Sequence, residues 1–339
     1  MDLNQFIEKM PKVELHVHME GSIQPETLIM LAERNKVDLP AKTPEELHAW
    51  YTFTDFPHFI DIYRTFAKCL RTADDIELIA RQFLIGQAKQ NILYSEVTYT
   101  PYSQFMANGI PFADQLAAIN RARDWARDEF GVEMGLITDI SRDVEPELGN
   151  IVAQWAVEGM HDGVIALGLG GYEVGNPPEK FSEAFEIVHK AGLPAVVHAG
   201  ETGGPDSIRG ALDALHSVRI GHGVRCLEDA DLVKRLKEEQ IPLEVCPTSN
   251  ICLKVFPNLA EHSLPKLVEE GLYVTINSDD PPMFNTTLTK EYQLVSKTFG
   301  FDQEQIKEFV LKAARVSLLP QERKDMLEKQ ILKGFEILE

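Results

Sequence analysis

The stretch KVELHVHMEGS, residues 12–22, places two histidines two positions apart inside an apolar run and follows them with a glutamate and a glycine. In a β-strand successive side chains alternate faces, so His16 and His18 point to the same side. Two imidazoles side by side on one strand face form either a polar surface pair or half of a metal site. The rest of the chain has to decide between them. Gly21 is expected to permit a tight exit from the strand.

This run is the first of eight. The others are ILYSEVTYT (92–100), EMGLITDI (133–140), VIALGLG (164–170), AVVHAG (195–200), VRIGHGV (218–224), PLEVCP (242–247) and YVTINSD (273–279), with VELHVHM (13–19) the core of the first. Between most of them lie segments such as FADQLAAINRARDWARDEF, with apolar residues at helical spacing and a closing glycine or proline. Eight β-runs alternating with helices predict an α/β fold, a (β/α)8 TIM barrel formed by a single domain over residues 1–339. A doubly wound sheet is the competing architecture, but no GxGxxG opens a first helix, and GLGG at 168–171 lacks the third glycine. Residues 40–90 exceed one barrel unit and read as extra helices inserted after strand 1. There FTDFPHFIDIYRTFAKCL sets Phe56, Phe59, Ile60, Tyr63 and Ala67 on one helical face, expected to form a hydrophobic flap over the barrel mouth.

The formal charge of -20 over 339 residues argues against a nucleic-acid or anionic-membrane surface, both of which reward basic patches. Four cysteines with no CxxC, no apolar leader and no run of about 20 apolar residues point to a reduced, cytoplasmic setting.

In such a barrel the active site forms at the carboxyl ends of the strands. The polar residues there are His16, His18 and Glu20 on strand one, His198 and then Glu201 on strand five, His222 on strand six, and Asp279 and Asp280 after strand eight. His16, His18 and His198 offer three neutral nitrogens and Asp279 an anionic oxygen, a set suited to Zn²⁺, which lowers the pKa of bound water to about 7. His222 is left to orient and stabilise the resulting hydroxide. Glu201, three residues beyond His198, suits a proton carrier to a substrate nitrogen. Binuclear relatives need a bridging ligand, commonly a carbamylated lysine on the fourth strand, and VIALGLG has none, so one metal is expected. The remaining six histidines, His262 among them, fall in helices or loops where packing or surface roles are expected. In CPTSN, Cys246 reads as a small buried residue, with Ser249 and Asn250 lining the mouth.

Taken together, PKVELHVHMEGS, GLGGYEVGNPPEKF, VVHAGE, VRIGHGV, EVCPTSN and INSDDPPMF resemble the adenosine deaminase family, in order and over nearly the whole chain. The resemblance implies one zinc per chain on His16, His18, His198 and Asp279. It implies that Glu201 protonates a purine ring nitrogen, that His222 activates the hydroxide, that Asp280 accepts from the purine N7 side, and that the Gly171 backbone meets the opposite side. The implied reaction replaces the 6-amino group of an adenine nucleoside, adenosine or 2′-deoxyadenosine, by a 6-oxo group with release of ammonia. Glu20, which the resemblance places at the ribose 5′ end, stands where adenosine deaminases commonly carry Asp. There the chain is more similar to deaminases of adenine and of 5′-modified nucleosides such as aminodeoxyfutalosine, whereas SDDPPMFNTTLTKEY is more similar to the nucleoside deaminases. Those two substrates are the alternatives, and a non-catalytic zinc-containing binding protein is the remote one.

Overall fold

The computed structural model describes residues 1–338. Eight strands, β1 (Lys12–His18), β2 (Ile92–Tyr99), β3 (Glu133–Ser141), β4 (Val164–Gly170), β5 (Ala195–Ala199), β6 (Ser217–His222), β7 (Pro242–Val245) and β8 (Tyr273–Ile276), pair in parallel in chain order. Helices follow each strand and cover the outside, which gives the expected (β/α)8 barrel. All seven β1 residues are buried, as parallel strands under helices require. No helix among the described residues is long and apolar enough to cross a membrane.

The local signals work as their chemistry dictates. Asp2, Thr72 and Asp302 form capping boxes with the residue three positions on. Gly109, Gly131, Gly192 and Gly300 close helices with left-handed backbone, where a Cβ would be strained. The insertion after β1 comprises four α-helices, Pro25–Asn35, Pro44–Trp50, Phe56–Cys69 and Ala73–Lys89.

Closure between β8 and β1 is the irregular part. The register of β1 against β2 shifts between Glu14 and Val17. Beside that shift, the Asn277 side-chain oxygen accepts from the backbone N–H groups of Leu15 at 2.9 Å and His16 at 3.1 Å, replacing a strand carbonyl. Val17 bridges to Asp279 in parallel, with the His18 N–H donating to the Asp279 carbonyl at 2.8 Å and the Asp279 N–H to the His16 carbonyl at 3.1 Å. The barrel thus closes on the backbone of three candidate ligands.

Inside the barrel, Arg219 of β6 reaches Glu96 of β2 and Glu244 of β7, and donates to the Val316 carbonyl at 2.9 Å. All three charged side chains are buried. Two carboxylates with one guanidinium between them are tolerable only as a unit. Arg219→Leu leaves two buried carboxylates without their cation and is expected to cost about 3–5 kcal/mol of stability, read as a lower urea midpoint at unchanged slope.

Candidate active site

The carboxyl ends of the strands converge on a cavity of about 370 Å³. His18, His198, His222, Asp279 and Asp280 line it together with Gly171 and Glu201. The metal-competent atoms of His16, His18, His198 and Asp279 all lie within 4.8 Å of one another, and all four residues are buried. His18 Nε2 is 3.1 Å from His198 Nε2 and 3.2 Å from Asp279 Oδ1, and His16 Nε2 is 3.5 Å from the same oxygen. Donors each about 2.1 Å from one ion in a tetrahedron sit roughly 3.4 Å apart, so the spacing suits a single metal ion. His16 Nε2 is buried without a hydrogen-bond partner among the described residues. Burial opposes charge on both β1 histidines. Even so, Asp279 and Glu244 lift His16 to about 9, while Asp280 and Asp279 lift His18 to about 10. The cluster calls for a cation, and its donors fit a divalent metal.

The neighbours of these groups hold them in place. His16 Nδ1 donates to Glu244 Oε2 at 2.9 Å, which leaves Nε2 with its lone pair facing the cluster. Glu244 is in turn held by Arg219, so the network inside the barrel ends on a candidate ligand. Two catalytic candidates stand where the backbone turns left-handed, His222 at φ 62 and Asp279 at φ 65, conformations that side chains adopt only when their surroundings impose them.

Glu201 is buried, and its Oε1 lacks a hydrogen-bond partner among the described residues. Burial and then the charge of Asp279 push its carboxyl well above the ordinary range, which favours its protonated form. Burial pushes His222 down to about 4, so that ring is neutral. Cys246 is likewise held as a buried thiol, as expected.

Glu173, which the sequence reading did not single out, sets the loop that carries Glu201. Its carboxylate accepts from four consecutive backbone N–H groups, Gly200 and Glu201 at 2.8 Å, Thr202 at 2.9 Å and Gly203 at 3.1 Å, and from the Ser207 hydroxyl. Arg142 completes the clamp by donating to the His198 carbonyl and, at 2.8 Å, to the Asn176 carbonyl. The loops after β3, β4 and β5 are thereby tied to one another. Asp139, at the end of β3, was also missed. It lines the cavity, and burial raises it to about 7. A Cβ at Gly168 or Gly170 would lie 2.7 or 2.9 Å from its oxygens, so the glycines of VIALGLG make room for this carboxyl.

The chain leaves β1 at once through a 3-10 turn at Glu20–Ser22, the tight exit expected there, and a Cβ on Gly21 would lie 1.6 Å from Asp280 Oδ1, so the glycine also makes way for that carboxyl. One expectation needs correction. Ser249 and Asn250 are buried beneath the site instead of lining its mouth. His262 has one of the roles expected of it, packing, and is buried against Asn250. Glu20 lies beside the cavity, where its oxygens accept from the Thr100 N–H at 3.0 Å and the Tyr63 hydroxyl at 3.2 Å. Phe56, Phe59, Ile60, Tyr63 and Ala67 all line the cavity, as their shared helical face predicts.

The Glu173 arrangement is open to test. Glu173→Gln turns one accepting oxygen into a donor facing backbone N–H groups. Amide exchange at residues 200–203 is expected to rise by roughly tenfold or more, with β5 unchanged, in hydrogen-exchange mass spectrometry.

The family model described as adenosine deaminase matches residues 11–334. An adenine deaminase of Trichlorobacter lovleyi is 42% identical over 86% of this chain and 82% of its own. An aminodeoxyfutalosine deaminase of Streptomyces coelicolor is 39% identical over 94% of this chain and 82% of its own. An amidohydrolase from Burkholderia ambifaria, solved with bound Zn, superposes with a TM-score of 0.92 at 27% identity, covering 99% of this chain and 93% of that one. With its clustered histidines and aspartate at the mouth of an eight-stranded barrel, the chain belongs to the adenosine deaminase family and is a hydrolytic deaminase acting on C–N bonds.

Proposed function

We propose that the protein is a zinc-dependent deaminase of adenine nucleosides. The observation that carries the nucleoside reading is the extent of the cavity. It runs from the ligand cluster past Tyr63 and Asp139 to Arg64, Lys68 and Met106, well beyond what a flat bicyclic base covers. A second reading, free adenine, is favoured by the name of the T. lovleyi relative.

His16, His18, His198 and Asp279 would hold the metal. A divalent ion there supplies Lewis acidity, which makes water nucleophilic near neutral pH. The protein's own residues do the rest. Glu201, protonated by its burial, gives its proton to N1 of the purine as water oxygen bonds to C6, so the ring accepts the electron pair without carrying a full negative charge. It then takes the protons of the added water in turn. One replaces the proton it gave to N1. The other goes to the leaving amino group as the C–N bond breaks, giving ammonia and the 6-oxo product.

Asp280 would meet N7. Because N7 bears a lone pair, the carboxyl has to donate there, contrary to the acceptor role that the resemblance implies. Burial and then the charge of Asp279 raise it well above the ordinary carboxylate range, which favours the protonated, donating form. Gly171, at φ 90, would bring bare backbone to the opposite edge. The aromatic face of Phe56–Cys69 would cover the base as a flap.

Zinc-loaded protein is expected to hold about one zinc per chain by metal analysis, and chelation is expected to abolish turnover that added zinc restores. Glu201→Gln should keep the metal and lose activity by roughly a hundredfold or more. Loss of absorbance on conversion of the 6-amino to the 6-oxo group should be followed with adenine, adenosine, 2′-deoxyadenosine and a 5′-extended adenine nucleoside side by side. A tenfold advantage in kcat/KM, about 1.4 kcal/mol, for any nucleoside over adenine supports the proposal. The reverse order gives the enzyme to the free base, and no turnover of any of them removes the proposal.

A further inference from the structure

A chain of three hydrogen bonds runs into His222 from behind the site. The Leu264 backbone N–H donates to His262 Nδ1 at 3.0 Å. His262 Nε2 lies 3.1 Å from Asn250 Oδ1, and Asn250 Nδ2 lies 3.2 Å from His222 Nδ1. Asn250, His262 and His222 are all buried, with exposures of 0%, 4% and 1%.

The direction of this chain is not free. A backbone N–H can only donate, so His262 Nδ1 accepts, and the neutral ring carries its proton on Nε2. That N–H needs an acceptor, which makes the facing atom of Asn250 its oxygen. The amide nitrogen then faces His222 and can only donate, so His222 Nδ1 accepts. A neutral His222 therefore carries its proton on Nε2, the atom that looks into the cavity, 3.7 Å from Glu201 Oε1 and 3.9 Å from Asp279 Oδ2.

We propose that Asn250 and His262 are positioning residues that hold His222 as the Nε2–H tautomer, so that it donates a hydrogen bond to the attacking water oxygen instead of taking its proton. Nε2 has no lone pair for that proton, and the lone pair of Nδ1 is occupied by the amide. Both protons of the water are left to Glu201, which is the carrier in the sequence of bonds given above. This inference rests on the deaminase reading of the site.

Asn250→Asp tests it, because a carboxylate accepts at both ends. It keeps a hydrogen bond to His262 and one to His222, but draws the His222 proton to Nδ1. A merely structural Asn250 would tolerate that exchange. In metal-loaded protein labelled with ¹⁵N-histidine, His222, assigned through His222→Gln, is expected to show a bare Nδ1 in the wild type and a protonated Nδ1 in Asn250→Asp. With whichever 6-aminopurine the wild type turns over, kcat is expected to fall by roughly 30-fold or more, KM to stay within about threefold, and metal content to be unchanged. A wild-type His222 with a protonated Nδ1, or a variant that protonates Nδ1 and keeps its kcat, overturns the proposal. The tautomer of the wild type needs no substrate, so it decides this inference even if no 6-aminopurine is turned over and the function proposed above falls. Should Asn250→Asp not fold, Asn250→Ser, which can donate or accept, is expected to give mixed tautomers and an intermediate kcat, and an unchanged spectrum and kcat would count against the proposal.

Discussion

The backbone seam between β8 and β1 is the constraint on which the site depends. Two hydrogen bonds, from His18 to the Asp279 carbonyl and from Asp279 to the His16 carbonyl, join the last strand to the first. The same residues supply three of the four metal-competent atoms. The geometry of the candidate ligands is therefore a property of barrel closure, and a slip in strand register would scatter these atoms. Asn277 makes the seam possible by placing a side-chain oxygen where the shifted register leaves two N–H groups without a strand partner.

Around that seam, buried charge is handled by connection. Glu173 satisfies the amides of the Glu201 loop, Glu244 orients His16, and Arg219 neutralises Glu244 and Glu96. Each carboxylate would be costly alone, and each is held by several donors at once. Glu201, Asp280 and Asp139, which face the cavity, each have a carboxyl oxygen without such a partner among the described residues. Burial without partners raises their pKa values. Glu173 and Glu244, by contrast, are held below the ordinary carboxylate range despite their burial, by Arg142 and Arg219 respectively and by their hydrogen-bond donors.

The acidic surface and the reactive interior make different demands. A formal charge of -20 disfavours polyanionic partners, while the rim of the cavity offers Arg64 and Lys68 beside Asp143. Arg64 is paired with Asp143 across the mouth, which links the inserted helix to the loop after β3. The helix that lines one side of the cavity is thus tied to the segment that holds Asp139 and Arg142.

Much of this was legible in the sequence because strands and their exits are local. Short β-rich runs between helical segments marked eight strands, and a polar residue at the end of an apolar strand is visible in a few letters, so His16, His18, His198 and Asp279 stood out. Strand ends were read too far at β7 and β8, where the chain turns at Pro247 and, beyond Ile276, at Asp279. Glu173, Glu244, Asp139, Asn250 and His262 carry no such signal. Their partners are distant in the chain: His16 and Glu244 are separated by 228 positions, and His222 and Asn250 by 28. The sequence by itself determined the barrel, the candidate donor set and the class of chemistry, because residue type and the spacing of apolar positions act over a few positions. Only the tertiary structure decided which buried carboxylates have partners, why Gly21 has no side chain and which side chains stand behind His222, because each depends on a contact between residues that folding alone brings together.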